Sequence, residues 1–416
     1  MGLPGPRHRP GHHNGACRPP GEELYMSEDV TGQRLRLALA RELRTNGVLR
    51  GSGWKEAVET VPREVFVGEA VYRLDQEGLW QVVRRSDLSE ADWLTMVYQD
   101  DTWVTQVEGV NASDPHPPSV GAPTSSSSLP SLVVGMLEDL DVRDGQRVLE
   151  VATGTGYSTA LLCHRLGQER VTSVEVDAGV AARAEKALGR VGYRPRLLVQ
   201  DGYGGGWALG ERWGDGEDVV YDRIIATCAF RFVPLPWLGQ VGPGAKVLVT
   251  LAGWLGANAQ VLLEAEEDGT MRGRFLPVQR SFMMARSMRA PAEAPLVLGP
   301  NVPRRPTDVG AEVLDDWTGR FVVQLTVPEA VPMVVGPSRG VRDIGTGSWA
   351  LVDEDADGTG VSQHGPVNLW ERVENSVRWW RALGEPSVSE FGLTVSPREQ
   401  RVWLGSPGGP SWKLPV

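Results

Sequence analysis

The chain has 416 residues, 41% of them hydrophobic, and a formal net charge of -11. That length supports two domains with tails, and the acidic balance, with no basic cluster after the N-terminus, argues against nucleic-acid partners, which need a positive face. Three widely spaced cysteines (Cys17, Cys163, Cys228) form neither a disulfide framework nor a zinc knuckle and favour a reducing cytoplasm; no apolar run is long enough to span a bilayer, so no membrane partner is expected.

The first residues are rich in Gly, Pro, His and Arg and lack an apolar signal core, so residues 1–27 read as a disordered leader, with Met26 as an alternative start. Residues 28–130 read as a helical region that ends in a loop. Leu35, Leu39 and Leu43 set helical spacing over 31–48, closed by Asn46-Gly47, and a short helix over 54–61 is closed by Pro62. Residues 107–130 read as loop, with the serine run 125–128, before an amphipathic helix over 129–140.

From residue 147 strands and helices alternate. Strands are predicted over 147–151, 171–176, 196–199, 223–226 and 246–251, with helices over 155–166 and 179–191; β-α units of this length give a parallel sheet. Segments 260–264 and 271–278, joined by an Asp-Gly turn, read as an antiparallel edge. A cofactor domain over 131–289 is followed by a proline-rich linker over 290–310. Residues 311–416 read as a small α+β module, with strands over 321–327, 349–353, 391–395 and 401–404. Its helix over 368–383 carries a stripe of Trp370, Val373, Val377 and Trp380.

The strand-turn-helix at Glu150-Val151-Ala152-Thr153-Gly154-Thr155-Gly156-Tyr157 is the richest feature. A dinucleotide fingerprint needs a third glycine, and Thr159 stands there, which weighs against an oxidoreductase. An acid at the strand end followed by small residues and Gly-x-Gly suits S-adenosylmethionine, whose ammonium favours a carboxylate. Glu175, with Asp177 as the alternative, ends the next strand where a ribose binder would stand, and Asp201-Gly202 follows the third, where the acid can meet an adenine amino group. The expected cofactor residues are therefore Glu150, Ala152, Thr153, Gly154, Gly156, Tyr157, Glu175, Asp201 and Gly202; no metal set is expected, since Cys163 and His164 are adjacent on one helix and do not share a face.

These segments lie among others that resemble the protein-L-isoaspartyl O-methyltransferase family. Val61-Pro62-Arg63-Glu64-Val65-Phe66-Val67 is similar to its "VPRExFV" segment, and Tyr98-Gln99-Asp100 to its "YxD" segment. Ser126-Ser127-Ser128-Leu129-Pro130 stands where the family carries an active-site loop, and Pro243-Gly244-Ala245-Lys246-Val247 is similar to its "PGGxLV" lead-in. The resemblance runs from about residue 31 to 288 and implies a class I S-adenosylmethionine-dependent methyltransferase. The implied fold is α/β and Rossmann-like, with a mostly parallel seven-stranded sheet, an N-terminal helical segment and a small C-terminal α+β module. Its implied partner is a peptide or protein carrying Asp or isoAsp. The departures, the serine run, Ala152 in place of the first family glycine, and Cys228-Ala229-Phe230-Arg231, resemble a branch that methylates an aspartate in ribosomal precursor peptides of the lanthipeptide or ATP-grasp kind, giving succinimide or isoaspartate; repair of isoaspartyl proteins is the alternative.

The chemistry needs no general base, because a carboxylate is already ionised at neutral pH. Ser126 and Ser128 are the expected substrate-orienting hydroxyls, and Arg231 a possible partner for the substrate carboxylate. The C-terminal module is the expected site of peptide recognition. A noncatalytic protein that binds cofactor or peptide is the competing reading from another class.

Overall fold

The computed structural model describes residues 20–206, 220–292, 302–356 and 358–416. Residues 1–19 of the expected leader and 293–301 of the expected linker lie outside the described residues. Helix α1 (Pro20–Thr45) already includes the last part of the expected leader. It is followed by α2 (Ser52–Thr60) and α3 (Arg63–Val67). Then come β1 (Ala70–Leu74), β2 (Trp80–Arg84), α4 (Glu90–Val97), β3 (Trp103–Val107), β4 (Val110–Asn111), β5 (Pro123–Ser127) and α5 (Pro130–Asp139).

The N-terminal region is therefore not simply helical. Strands β2-β1-β3-β4 form one sheet in that order, and β5 pairs with β3. The serine run is a strand rather than a loop, because it lies antiparallel to β3 with Val104 opposite Ser126 and Trp103 opposite Ser127. Residues of opposite burial alternate along it: Ser125 and Ser127 are buried, Ser126 less so, as period-two geometry requires.

The central sheet begins with β6 (Val148–Val151), α6 (Tyr157–Leu166), β7 (Val171–Glu175), α7 (Ala178–Arg190), β8 (Arg196–Val199), β9 (Tyr221–Phe230) and β10 (Val241–Ala252). The order β10-β9-β6-β7-β8 is parallel throughout. Chain connections diverge on the two sides of β6, which makes its carboxyl end the place where such sheets bind ligands. Neighbouring residues serve opposite faces: Leu149, Ile224 and Val247 belong to one apolar core, while Val148, Ile225 and Leu248 belong to the other. Burial on both faces is why these strands read as continuous apolar runs.

The sheet does not stop at seven strands. Antiparallel β11 (Asn258–Ala265) and β12 (Met271–Phe275) continue it. The chain then forms β13 (Arg304–Pro306), α8 (Trp317–Thr326), β14 (Ala330–Val335), β15 (Ser338–Asp343), β16 (Trp349–Asp355), β17 (Gly358–His364) and α9 (Leu369–Ala382). It returns as β18 (Phe391–Val395), β19 (Gln400–Leu404) and β20 (Ser411–Lys413), which extend the central sheet from β12 to ten strands. Five strands are parallel and five antiparallel, so the expected count and mostly parallel character are both corrected. The C-terminal residues also build a separate five-stranded sheet, β13-β17-β16-β15-β14.

The expected strand over 321–327 is helix α8. Its β-branched run imitates a strand, but the Asp316 side chain caps the helix by accepting a hydrogen bond from the Gly319 N–H at 2.6 Å. Phe321 then packs edge-on against Phe275 of β12 and Phe391 of β18. No described helix is long and apolar enough to cross a membrane.

Candidate active site

A cavity of about 430 Å³ opens at the carboxyl end of the parallel strands. Its walls join regions distant in sequence, among them the serine run (Ser125 to Ser128), the turn after β6 (Val151 to Thr155), the ends of β7, β8 and β9, and residues 281–287 with Arg289. The turn is shaped for close approach. Gly154 has φ of 55°, and an ideal Cβ there would stand 3.5 Å from the Ser126 carbonyl oxygen. Gly202 is closely covered, since a Cβ there would meet Val151 Cγ1 at 2.3 Å and force that side chain to shift.

Of the expected cofactor residues, Ala152, Thr153, Gly154, Tyr157, Glu175, Asp201 and Gly202 line the cavity. Glu175 is nearly buried, and burial raises its carboxyl above the usual range. Its two oxygens accept hydrogen bonds from the Gly154 and Asp177 N–H groups, at 2.9 and 3.1 Å. A carboxylate has about four acceptor positions, so room remains for two ligand hydroxyls. Asp201 accepts from the Tyr203 N–H at 2.9 Å through one oxygen.

Glu150 and Gly156 do not line it. Glu150 is 0% exposed; it lies opposite Ser173 in the β6–β7 register, and directly opposed strand residues share a face. Its Oε2 accepts hydrogen bonds from Thr159 Oγ1 at 2.5 Å and Ser173 Oγ at 2.7 Å, away from the cavity, and burial raises its pKa. The residue that breaks the dinucleotide fingerprint, Thr159, is thus one of the donors to this buried acid. Gly156, with φ of 88°, caps α6 against Ala184. Asp177, the alternative ribose binder, caps α7 and accepts from Arg286 Nη2 at 3.0 Å.

Both serine hydroxyls expected to orient substrate, Ser126 and Ser128, lie on the cavity wall, and among the described residues neither donates or accepts within the chain. Arg231 is not on that wall. Its guanidinium stacks 3.6 Å above the Trp254 ring and bonds Glu329 and the Pro328 carbonyl, because the C-terminal residues supply partners that sequence order hides. Cys228 lines the cavity, with its thiol held protonated by burial.

Sequence reasoning missed residues 281–289. Ala229 of β9 bonds Met283 and Ala285 on this segment, at 2.9 and 2.8 Å, laying it across the cavity as a strap. A short bridge of this kind has no periodic signal. Arg63 was also missed as a structural centre: fully buried, it donates to the carbonyls of Val97, Gln99, Asp101 and Ser128.

Residues 81–274 match the family model for protein-L-isoaspartate(D-aspartate) O-methyltransferase. A protein-L-isoaspartate O-methyltransferase of Archaeoglobus fulgidus is 30% identical over 166 residues, 37% of this chain and 69% of that relative. The chain belongs to the protein-L-isoaspartate O-methyltransferase family. Family members of Syntrophobacter fumaroxidans and Anaeromyxobacter dehalogenans are 34% and 37% identical over 153 and 144 residues, 36% and 34% of this chain. The chain spans only 58% and 64% of their lengths. A solved structure of a family member, at 20% identity, superposes with a TM-score of 0.52 over 89% of this chain and all of that one. The shared fold therefore reaches far beyond residues 81–274, into the C-terminal elements.

Proposed function

We propose that the chain transfers a methyl group from S-adenosylmethionine to a carboxylate of an isoaspartyl or aspartyl residue in a protein or peptide. The observation that carries this reading is the one cavity that holds Glu175, Asp201 and the Gly154 turn together with two serine hydroxyls that have no partner among the described residues. Glu175 would take the ribose hydroxyls and Asp201 the adenine amino group. The bound cofactor would supply a methyl group on a positively charged sulfur. Ser126 and Ser128 donate hydrogen bonds that orient the acceptor carboxylate, which is ionised at neutral pH without a base. Val151, Phe230, Met283 and Met284 form apolar wall; they exclude water and strengthen charge interactions at the reacting centre.

Isoaspartyl protein repair is favoured over the precursor-peptide reading. The relatives are named for isoaspartate, and C-terminal elements are shared with a solved family member, so they do not by themselves argue for a specialised peptide. The test pairs an isoaspartyl peptide with its aspartyl twin. Mass spectrometry is expected to find one added methyl group on the former alone; methylation of only the aspartyl twin would favour the precursor-peptide reading instead. Calorimetry with S-adenosylmethionine is expected to show Glu175→Gln weakening binding by roughly ten- to a hundredfold, the value of hydrogen bonds to a charged acceptor. Undiminished binding would remove Glu175 from the cofactor site.

A further inference from the structure

We propose that Arg289 selects acceptors that carry a second carboxylate beside the one that is methylated. The inference rests on the carboxyl-methylation reading above. Among the described residues, the charged groups on the cavity wall are Glu175, Asp201, Arg286 and Arg289. Arg286 is committed, bonding Asp177 Oδ2 and Gln106 Oε1, each at 3.0 Å. Arg289 is exposed at the cavity rim, and its guanidinium has no hydrogen bond or ion pair within the described residues. Two carboxylates and two guanidinium groups stand on this wall, and with Arg286 paired to Asp177 the cation left among the described residues to draw in an anionic peptide, in a chain of net charge -11, is Arg289.

Its position is built rather than incidental. Met288, next in sequence, is 7% exposed. The Met288 carbonyl accepts from Trp254 Nε1 at 2.9 Å, and its sulfur from the Arg231 N–H at 3.1 Å. The Ala229 bonds to Met283 and Ala285 hold the rest of the strap. Arg231, stacked on Trp254, thus anchors the segment that presents Arg289. The reacting carboxylate is not Arg289's partner: two charge-assisted bonds from an arginine withdraw more electron density from the attacking oxygen than neutral hydroxyls do, and the less exposed Ser126 and Ser128 hydroxyls are available for it. A carboxylate on the neighbouring residue fits the rim.

The test uses the full chain and isoaspartyl peptides whose neighbouring residue is Glu, Gln or Lys. The wild type is expected to prefer the Glu peptide over the Gln peptide in kcat/KM by roughly two- to fivefold, the range of an exposed ion pair. The preference is expected to vanish in Arg289→Ala, to turn toward the Lys peptide in Arg289→Glu, and to fade in high salt. Cofactor binding, measured by calorimetry, reports that the variants are folded. A wild type that methylates the three peptides equally overturns the inference alone, as does an Arg289→Ala variant that keeps the Glu preference. A wild type that binds S-adenosylmethionine but methylates none of them overturns both the inference and the reading beneath it.

Discussion

Ala152 stores strain at the centre of the site. Its φ is 75°, in the left-handed region, while its N–H bonds the Val174 carbonyl at 2.8 Å and its carbonyl accepts from Thr227 Oγ1 at 2.6 Å. A residue with a Cβ is penalised there by about 1–2 kcal/mol, and glycine loses about 0.5–1 kcal/mol more chain entropy on folding. Ala152→Gly is therefore expected to stabilise the protein by about 0.5–1 kcal/mol in urea unfolding; a destabilised variant would mean that the methyl contributes more in packing than it costs in strain. The sequence showed that alanine stands where the family resemblance has glycine. That its backbone nevertheless takes the glycine conformation is a property of the bonds from β7 and Thr227.

At the scale of elements, the serine strand owes its position to a side chain outside it. Arg63, just after Pro62 at the start of α3, gathers carbonyls from the end of α4, from the following turn and from Ser128. Burial lowers its pKa to about 10, which leaves it charged at neutral pH. Arg63→Met keeps the length and removes the donors, stranding buried carbonyls at about 1–3 kcal/mol each. A loss of at least ~3 kcal/mol is expected on chemical unfolding, and a loss below ~1 kcal/mol would show that water or neighbours replace the donors easily. The parallel strands were legible because two-sided burial leaves apolar runs; α8 was not, because its β-branched run has no distinctive local signal apart from the Asp316 cap. The serine strand was read as a loop for a related reason: serine carries no apolar alternation, and its strand geometry comes from pairing with β3.

For the whole molecule, the C-terminal residues are part of the core. Phe321, Trp370, Val377 and Phe391 lie in one apolar cluster with Leu149, Ile224 and Val247 of the central sheet. Strand β12, in the middle of the ten-stranded sheet, pairs with β18. Ending the chain at Ala290 would expose that apolar face and leave β12 as an unpaired edge, which invites aggregation. The truncated protein is expected to lose its cooperative thermal transition and to elute as aggregate in size-exclusion chromatography. A monomer that unfolds at the temperature of the full chain would show that residues 20–290 form an independent core.

The sequence alone determined the β-α alternation, the glycine turn, and the acids at the ends of β7 and β8, because those features depend on local periodicity and on residues a few positions apart. The tertiary structure decided which way each acid faces, sending Glu150 of β6 into the protein and leaving Glu175 of β7 in the cavity. It also decided which arginine is left without a partner among the described residues: Arg231 is held by Glu329, while Arg289 reaches the rim on a strap fixed by Ala229 and Trp254. Those outcomes rest on contacts between residues tens to a hundred positions apart, and no local pattern records them.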